Sequence, residues 1–141
     1  MSKVDEMVDV LRHWQSLERK AMNDTAEIME KTSSSLIRII MEIIRHDSLM
    51  HHRVQQFLID SVTKESVTVT RDDISAVWDA LKAHDQAERE TIRMAEELRR
   101  RAWTAVQKVM LDYLLKEESK HDALIANLDD LKKELGRASG A

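Results

Sequence analysis

Two histidines of this chain, His51 and His121, each follow acidic residues by about one helical turn. Asp47 stands four residues before His51, and Glu117 and Glu118 stand four and three residues before His121. Residues three or four apart lie on the same face of a helix. Imidazole and carboxylate groups together are ligands for transition metals. Metal chemistry is therefore the chemistry that these residue types and spacings predict.

An offset of 70 residues relates the two histidines, and the same offset relates Glu18 to Glu88. With helical turns near Ser33 and Trp103, the acidic residues and histidines of each half lie about 22 Å from their turn, because a helix rises about 1.5 Å per residue. Two packed hairpins would therefore place all of these groups in one central layer. His84, one turn before Glu88, is interpreted as an orienting or partly exposed histidine rather than as a ligand.

The composition favours long helices that can carry such a layer. The 141 residues include no proline, no cysteine and two glycines, Gly136 and Gly140. Proline breaks helix interiors and glycine weakens them, so their scarcity favours helix. We predict an all-α, antiparallel up-down-up-down four-helix bundle in a single domain, residues 1–141. It comprises two pseudo-repeated hairpins at 3–62 and 72–135, a loop at 63–71 and a flexible tail at 136–141.

Helix ends are predicted from hydroxyl and acidic residues. The first helix is expected from about Lys3 to Lys31, and the second from about Ser35 to Val62, because the run Thr32-Ser33-Ser34-Ser35 favours a helix start over a helix interior. The β-branched residues of 66–70 favour extended chain. Helix three is expected to begin at an N-cap on Asp72 or Asp73, and helix four near Trp103 or Thr104.

Apolar periodicity predicts which face of each helix is buried. The expected stripe of helix two is Ile40, Ile44, Asp47, His51, Val54 and Leu58. Two stripes fit helix four about equally well: one contains Met110, Glu117 and Leu124, and the other contains Leu111, Glu118 and Ile125.

Helix bundles hold di-iron and di-manganese centres with one Glu from each of two helices and a Glu-x-x-His from each of the other two. Glu118 and His121 form a complete Glu-x-x-His. Three residues before His51 stands Ser48, and the nearest carboxylate is that of Asp47. Either Asp47 substitutes with its shorter side chain, or the site lacks one carboxylate. The second case would leave a mononuclear site, a weak site or none.

These segments resemble the ferritin-like superfamily, especially rubrerythrin-like four-helix proteins, over about residues 3–135. The resemblance rests on Leu17-Glu18-Arg19-Lys20, Arg45-His46-Asp47-Ser48-Leu49-Met50-His51, Ala87-Glu88-Arg89-Glu90 and Glu117-Glu118-Ser119-Lys120-His121. It implies a dimetal centre of iron, or of manganese or zinc, that oxidises ferrous iron or reduces peroxide or oxygen. It implies ligation by Glu18, His51, Glu88, Glu118 and His121. The candidate metal residues are these five together with Asp47 and Glu117. Because the cysteine module of rubrerythrins is absent, a separate redox partner is implied.

Two other interpretations stay open at this point. The histidines and carboxylates can form buried ion pairs that set helix register, as in a metal-free structural or interaction module. A regulator that uses the run Arg99-Arg100-Arg101 on nucleic acid is the weaker hypothesis. The net charge of −4, with both signs interspersed, argues against nucleic acid as the main partner. Whether the protein is an enzyme is left open.

Hydropathy, cysteine content and the N-terminal sequence predict the cellular location of the protein and its partners. The most apolar segment, residues 36–44, contains Arg38 and Glu42 and is shorter than the roughly 20 residues of a bilayer span. No membrane association is therefore expected. The lack of cysteine fits a reducing compartment, and the N-terminus is acidic and amphipathic rather than like a signal peptide. We expect a cytoplasmic protein that forms a homodimer or higher homo-oligomer.

Overall fold

The computed structural model describes residues 2–140, and of residues 138–140 it describes the backbone alone. The described chain is helical and contains no strand, which confirms the predicted all-α class. Five helices follow one another as α1 (Lys3–Lys31), α2 (Ser35–Thr63), α3 (Arg71–Ser75), α4 (Trp78–Arg101) and α5 (Ala105–Gly140). None of these described helices is long and apolar enough to cross a membrane.

The chain divides into two compact units between Val67 and Thr68. Helices α1 and α2 pack together in the first unit, and α3, α4 and α5 pack together in the second. We call them the N-terminal hairpin and the C-terminal hairpin. The predicted assembly of both into one four-helix bundle stays a prediction.

Hydroxyl side chains begin both helices of the N-terminal hairpin. Ser2 accepts a hydrogen bond from the backbone N–H of Asp5, and Ser34 accepts one from the N–H of Ile37. Such caps satisfy N–H groups that have no partner in the first helical turn. The predicted bounds of α1 are confirmed, and those of α2 are confirmed to within one residue at the C-terminus.

The interior of the N-terminal hairpin is unusually polar. Leu11 and Ile59 are its buried apolar side chains, and the buried polar residues are Gln15, Glu18, Thr25, Ser48 and Gln55. The face of α2 that packs on α1 therefore lies one position later than the predicted stripe, in which Val54 and Leu58 are instead partly exposed. The predicted register is wrong for this contact. Adjacent faces of a helix fit a 3.6-residue period almost equally well, and only packing distinguishes them.

The beginning of the C-terminal hairpin differs from the prediction in two ways. The N-cap of α3 is Thr70 rather than Asp72 or Asp73; its hydroxyl accepts from the N–H of Asp73, whose carboxylate accepts from the N–H of Thr70. This reciprocal capping box satisfies two N–H groups at once, which a lone aspartate cap does not. The predicted single helix is also interrupted, because α3 ends at Ser75 and Val77 leaves the helical conformation (φ −114°, ψ 2°) before α4 begins.

The turn before α5 lies where the sequence predicts it. The helix itself continues beyond its predicted end before Gly136. The hydroxyl of Thr104 accepts from the N–H of Gln107, and the Gln107 side-chain oxygen accepts from the N–H groups of Trp103 and Thr104. The predicted flexible tail 136–141 is helical as far as Gly140, and Ala141 lies outside the described residues. Glycine at position 136 weakens a helix by about 1 kcal/mol relative to alanine but does not end it.

We expect Thr70→Ala to lower the free energy of unfolding by about 1 kcal/mol, because it removes the side-chain half of the capping box at the start of α3. Urea denaturation followed by circular dichroism measures the change. Thr68→Ala, in the exposed loop before α3, is the matched control and is expected to change stability by less than about 0.5 kcal/mol. Equal losses in the two variants would contradict the capping role.

Candidate metal centre

The carboxylate of Glu88, on α4, is the centre of a cluster in the C-terminal hairpin. Glu88 is only 6% exposed. Its Oε1 accepts from His84 Nε2 at 2.8 Å and from His121 Nδ1 at 3.0 Å. Its Oε2 is buried and has no hydrogen-bond partner among the described residues. Leaving a buried acceptor unsatisfied costs free energy, so this oxygen is positioned to gain from a bound cation.

Glu118 completes the cluster from α5. One ligand atom from each of Glu88, Glu118 and His121 lies within 4.8 Å of the other two. Thr91 Oγ1 lies 3.2 Å from Glu118 Oε2 and 2.7 Å from the backbone carbonyl oxygen of Glu88, and its single proton is shared between these two acceptors. Donor atoms about 2.0 to 2.2 Å from one ion lie within about 4.4 Å of each other. With small side-chain adjustments, these three residues can therefore hold a metal ion.

The neighbouring acidic residue, Glu117, is directed elsewhere. Its Oε2 lies 2.8 Å from Lys120 Nζ in an ion pair of residues three apart. Ile125 is half-buried, whereas Leu124 is largely exposed. Of the two stripes that fit α5, the hairpin therefore uses the one that contains Glu118 and Ile125. A ligand role for Glu117 stays a prediction.

The N-terminal hairpin contains the equivalent Glu–His pair without the second carboxylate. Glu18 Oε1, which is buried, lies 3.4 Å from His51 Nδ1. The position equivalent to Glu118 is Ser48, whose side chain is buried against α1. Asp47 is half-buried one position earlier. Its substitution for the missing carboxylate stays a prediction.

Sequence reasoning found most of this cluster but not the groups around it. The 70-residue offset identified both Glu–His pairs, and each pair is formed within its own hairpin. Thr91 stands three residues after Glu88, and a hydroxyl one turn from a candidate ligand could have signalled an orienting role. His84 is predicted to be an orienting or partly exposed histidine; its side chain is 61% exposed and lies 2.8 Å from Glu88 Oε1.

Two aspartates from facing helices lie beside this cluster. The neighbouring carboxyl group of Asp122 raises the pKa of Asp85, chiefly because a hydrogen bond between two acids requires one of them to keep its proton, and burial raises it further. Arg89, 3.2 Å from Asp85, opposes this shift. At the equivalent position of the N-terminal hairpin, Gln15 donates to Gln56 at 3.0 Å without any charge.

Comparisons of the chain with protein families, with curated proteins and with solved structures find no match. The ferritin-like resemblance therefore rests on the sequence segments given above. The metal-binding capacity rests on the side-chain geometry of the C-terminal hairpin.

We expect Asp85→Asn to stabilise the protein at pH 7 by on the order of 0.5 kcal/mol, because it removes the repulsion between two neighbouring carboxylates. An acid whose pKa is raised on folding stabilises the folded state at low pH, and this contribution is lost as the pH rises through the folded-state pKa. The gain in the variant should therefore disappear towards pH 4.

The measurement is the free energy of urea unfolding at several pH values between 4 and 7. Glu90→Gln, which removes an exposed carboxylate from the same helix, is the control and should show no comparable gain. A loss of stability at pH 7 in Asp85→Asn would contradict the assignment.

Proposed function

We propose that this protein is a ferritin-like metal-binding protein that holds a divalent transition metal, iron in the first place, at Glu88, Glu118 and His121. The observation that carries the proposal is the buried Glu88 Oε2, which lacks a hydrogen-bond partner among the described residues, within a group of three convergent ligands. A cation at this position would satisfy the oxygen and neutralise two neighbouring carboxylates.

The donor types favour a transition metal over calcium or magnesium. Calcium and magnesium prefer ligand sets made entirely of oxygen atoms. Imidazole suits iron, zinc and copper, and carboxylates suit manganese as well as harder ions. A set of two carboxylates and one imidazole therefore fits iron, manganese or zinc.

We infer that the two hairpins pair to form the four-helix bundle that the sequence predicts. Each leaves large apolar residues partly exposed, among them the repeat-related Leu58 and Leu128. Helices bury such stripes by packing in bundles. In the bundle, Glu18 and His51 would supply a second and poorer metal position, because Ser48 contributes no carboxylate.

The activity that we propose for an iron-loaded form is oxidation of ferrous iron coupled to reduction of peroxide. Two ferrous ions each give up one electron, hydrogen peroxide accepts both, and with two protons it yields two water molecules. The carboxylates of Glu88 and Glu118 favour the more highly charged ferric product, because negative ligands stabilise the higher oxidation state. Outside this chain, a redox partner would return the iron to the ferrous form.

A metal-free helical interaction module is the second candidate function. The observation in its favour is that each histidine already has a carboxylate partner, at 3.4 Å in the Glu18–His51 pair and at 3.0 Å in the Glu88–His121 pair. Buried ion pairs of this kind can set the register of packed helices.

Metal binding is tested by anaerobic calorimetric titration of the wild-type protein with ferrous iron. We expect Glu118→Gln to weaken binding about tenfold or more, because it replaces an anionic ligand with a neutral amide. Glu96→Gln makes the same chemical change at an exposed residue of α4 and is expected to retain wild-type affinity.

Metal at a hundredfold excess over its dissociation constant should also raise the free energy of unfolding by about 2.7 kcal/mol in the wild-type protein. If the wild-type protein binds neither ferrous iron nor manganese nor zinc, the metal function is wrong and the interaction module is favoured. If the wild-type protein binds metal and Glu118→Gln binds it equally well, the assignment of Glu118 as a ligand is wrong.

The bundle is tested by truncating Leu58 and Leu128, one at a time, to alanine. If a second hairpin covers this face, each truncation should cost about 2 to 5 kcal/mol of unfolding free energy, as for a buried leucine. Leu49→Ala, at a leucine outside the predicted stripe that is 49% exposed, is the control and should cost much less. Equally small losses at all three positions would contradict the bundle.

A further inference from the structure

We propose that His84 is a fourth metal ligand, so that the C-terminal hairpin binds one transition-metal ion by itself through two imidazoles and two carboxylates. This proposal rests on the metal-binding function proposed above and specifies its coordination. It differs from the sequence-based interpretation, in which His84 orients a ligand and the centre draws on all four helices.

The geometry around Glu88 carries the proposal. His84 Nε2 lies 2.8 Å from Glu88 Oε1, and His121 Nδ1 lies 3.0 Å from the same oxygen. The two imidazoles therefore converge on one carboxylate from two helices, α4 and α5. His84 lies outside the group of three whose ligand atoms are within 4.8 Å of one another, so its exposed ring must rotate to join them. Without a metal, both rings can donate N–H groups to that oxygen; with a metal, the same nitrogens can lose their protons and bind the ion.

A comparison of the two hairpins supports a self-contained site. Both hairpins contain the Glu–His pair. At three positions near this pair, the C-terminal hairpin has a polar side chain where the N-terminal hairpin has either a weaker metal ligand or no ligand at all. The equivalent pairs are His84 and Trp14, Thr91 and Ala21, and Glu118 and Ser48. Two of the three added groups are potential ligands, and the hydroxyl of the third, Thr91, lies 3.2 Å from Glu118 Oε2. These differences all favour one complete site in one hairpin.

The burial pattern also suits an ion that enters from solvent. Glu88 is buried at the base of the cluster, whereas the side chains of His84 and His121 are 61% and 46% exposed. An ion in solvent can therefore reach the two imidazoles directly. A metal with four protein ligands can keep further positions for water or a small oxidant if it adopts five- or six-coordinate geometry.

The test compares Co²⁺ affinities by calorimetric titration of the whole chain. We expect one Co²⁺ per chain in the wild type and a loss of about tenfold or more in affinity for His84→Ala. His46→Ala is the matched control, because His46 lies one turn from Glu42 in an exposed His–Glu pair at 4.0 Å. It should bind Co²⁺ like the wild type. Circular dichroism checks that each variant is folded.

Pulsed electron paramagnetic resonance with one equivalent of Cu²⁺ separates ligation from orientation, because it counts the coordinated imidazoles. Two coordinated imidazoles are expected in the wild type and one in His84→Ala. One imidazole in the wild type, or Co²⁺ affinity unchanged by His84→Ala, would overturn the role of His84. It would leave the metal function standing if Glu118→Gln still weakens binding. No binding of Co²⁺ or ferrous iron by the wild type would overturn both proposals.

Discussion

A buried carboxylate on α4 is the constraint on which the C-terminal hairpin depends. Removing a carboxylate from water is expensive unless hydrogen bonds or opposite charges compensate for it. Glu88 obtains this compensation from one imidazole on its own helix and one on α5, and both approach the same oxygen. The interaction joins α4 to α5 at a defined register, and it leaves the second carboxylate oxygen available. The Glu88 side chain therefore both links α4 to α5 and presents an unpartnered oxygen atom.

The two hairpins share a Glu–His frame and differ in what surrounds it. Glu18 and His51 form the same pair as Glu88 and His121, at the same offset in the chain. The N-terminal hairpin surrounds its pair with an amide and a hydroxyl, in Gln15 and Ser48. Neither group carries a charge, and Gln15 donates to the backbone carbonyl of His52 and to the side chain of Gln56. Around its pair, the C-terminal hairpin places further carboxylates instead, those of Glu118, Asp85 and Asp122, and close carboxylates favour a cation.

The polar interior of each hairpin affects its stability as well as its proposed function. A polar interior contributes less hydrophobic stabilisation than an apolar one of the same size, and each hairpin has few buried apolar side chains. Their exposed apolar residues are consistent with association between helical surfaces. A bundle would supply the missing apolar burial, while the polar layer would remain inside as a binding site. Helical proteins that bind metals in their interiors use the same division of roles.

The sequence was sufficient to predict the local structure of much of the chain. The absence of proline, together with hydroxyl residues at helix starts, located α1, α2 and the start of α5 to within one or two residues, because these signals act over a single helical turn. The 70-residue offset identified the Glu–His pairs, because equivalent positions in two similar hairpins repeat the same chemistry. Both inferences need only short-range geometry.

Tertiary structure decided which of several equivalent faces became the interior. Periodicity alone put Asp47 on the buried stripe of α2, and it allowed either Glu117 or Glu118 on that of α5. Packing placed Ser48 and Glu118 there. It also brought His84 and His121 to one oxygen of Glu88. A helical period describes spacing along one helix, whereas a binding site requires the relative rotation of two helices, and only their packing determines that rotation.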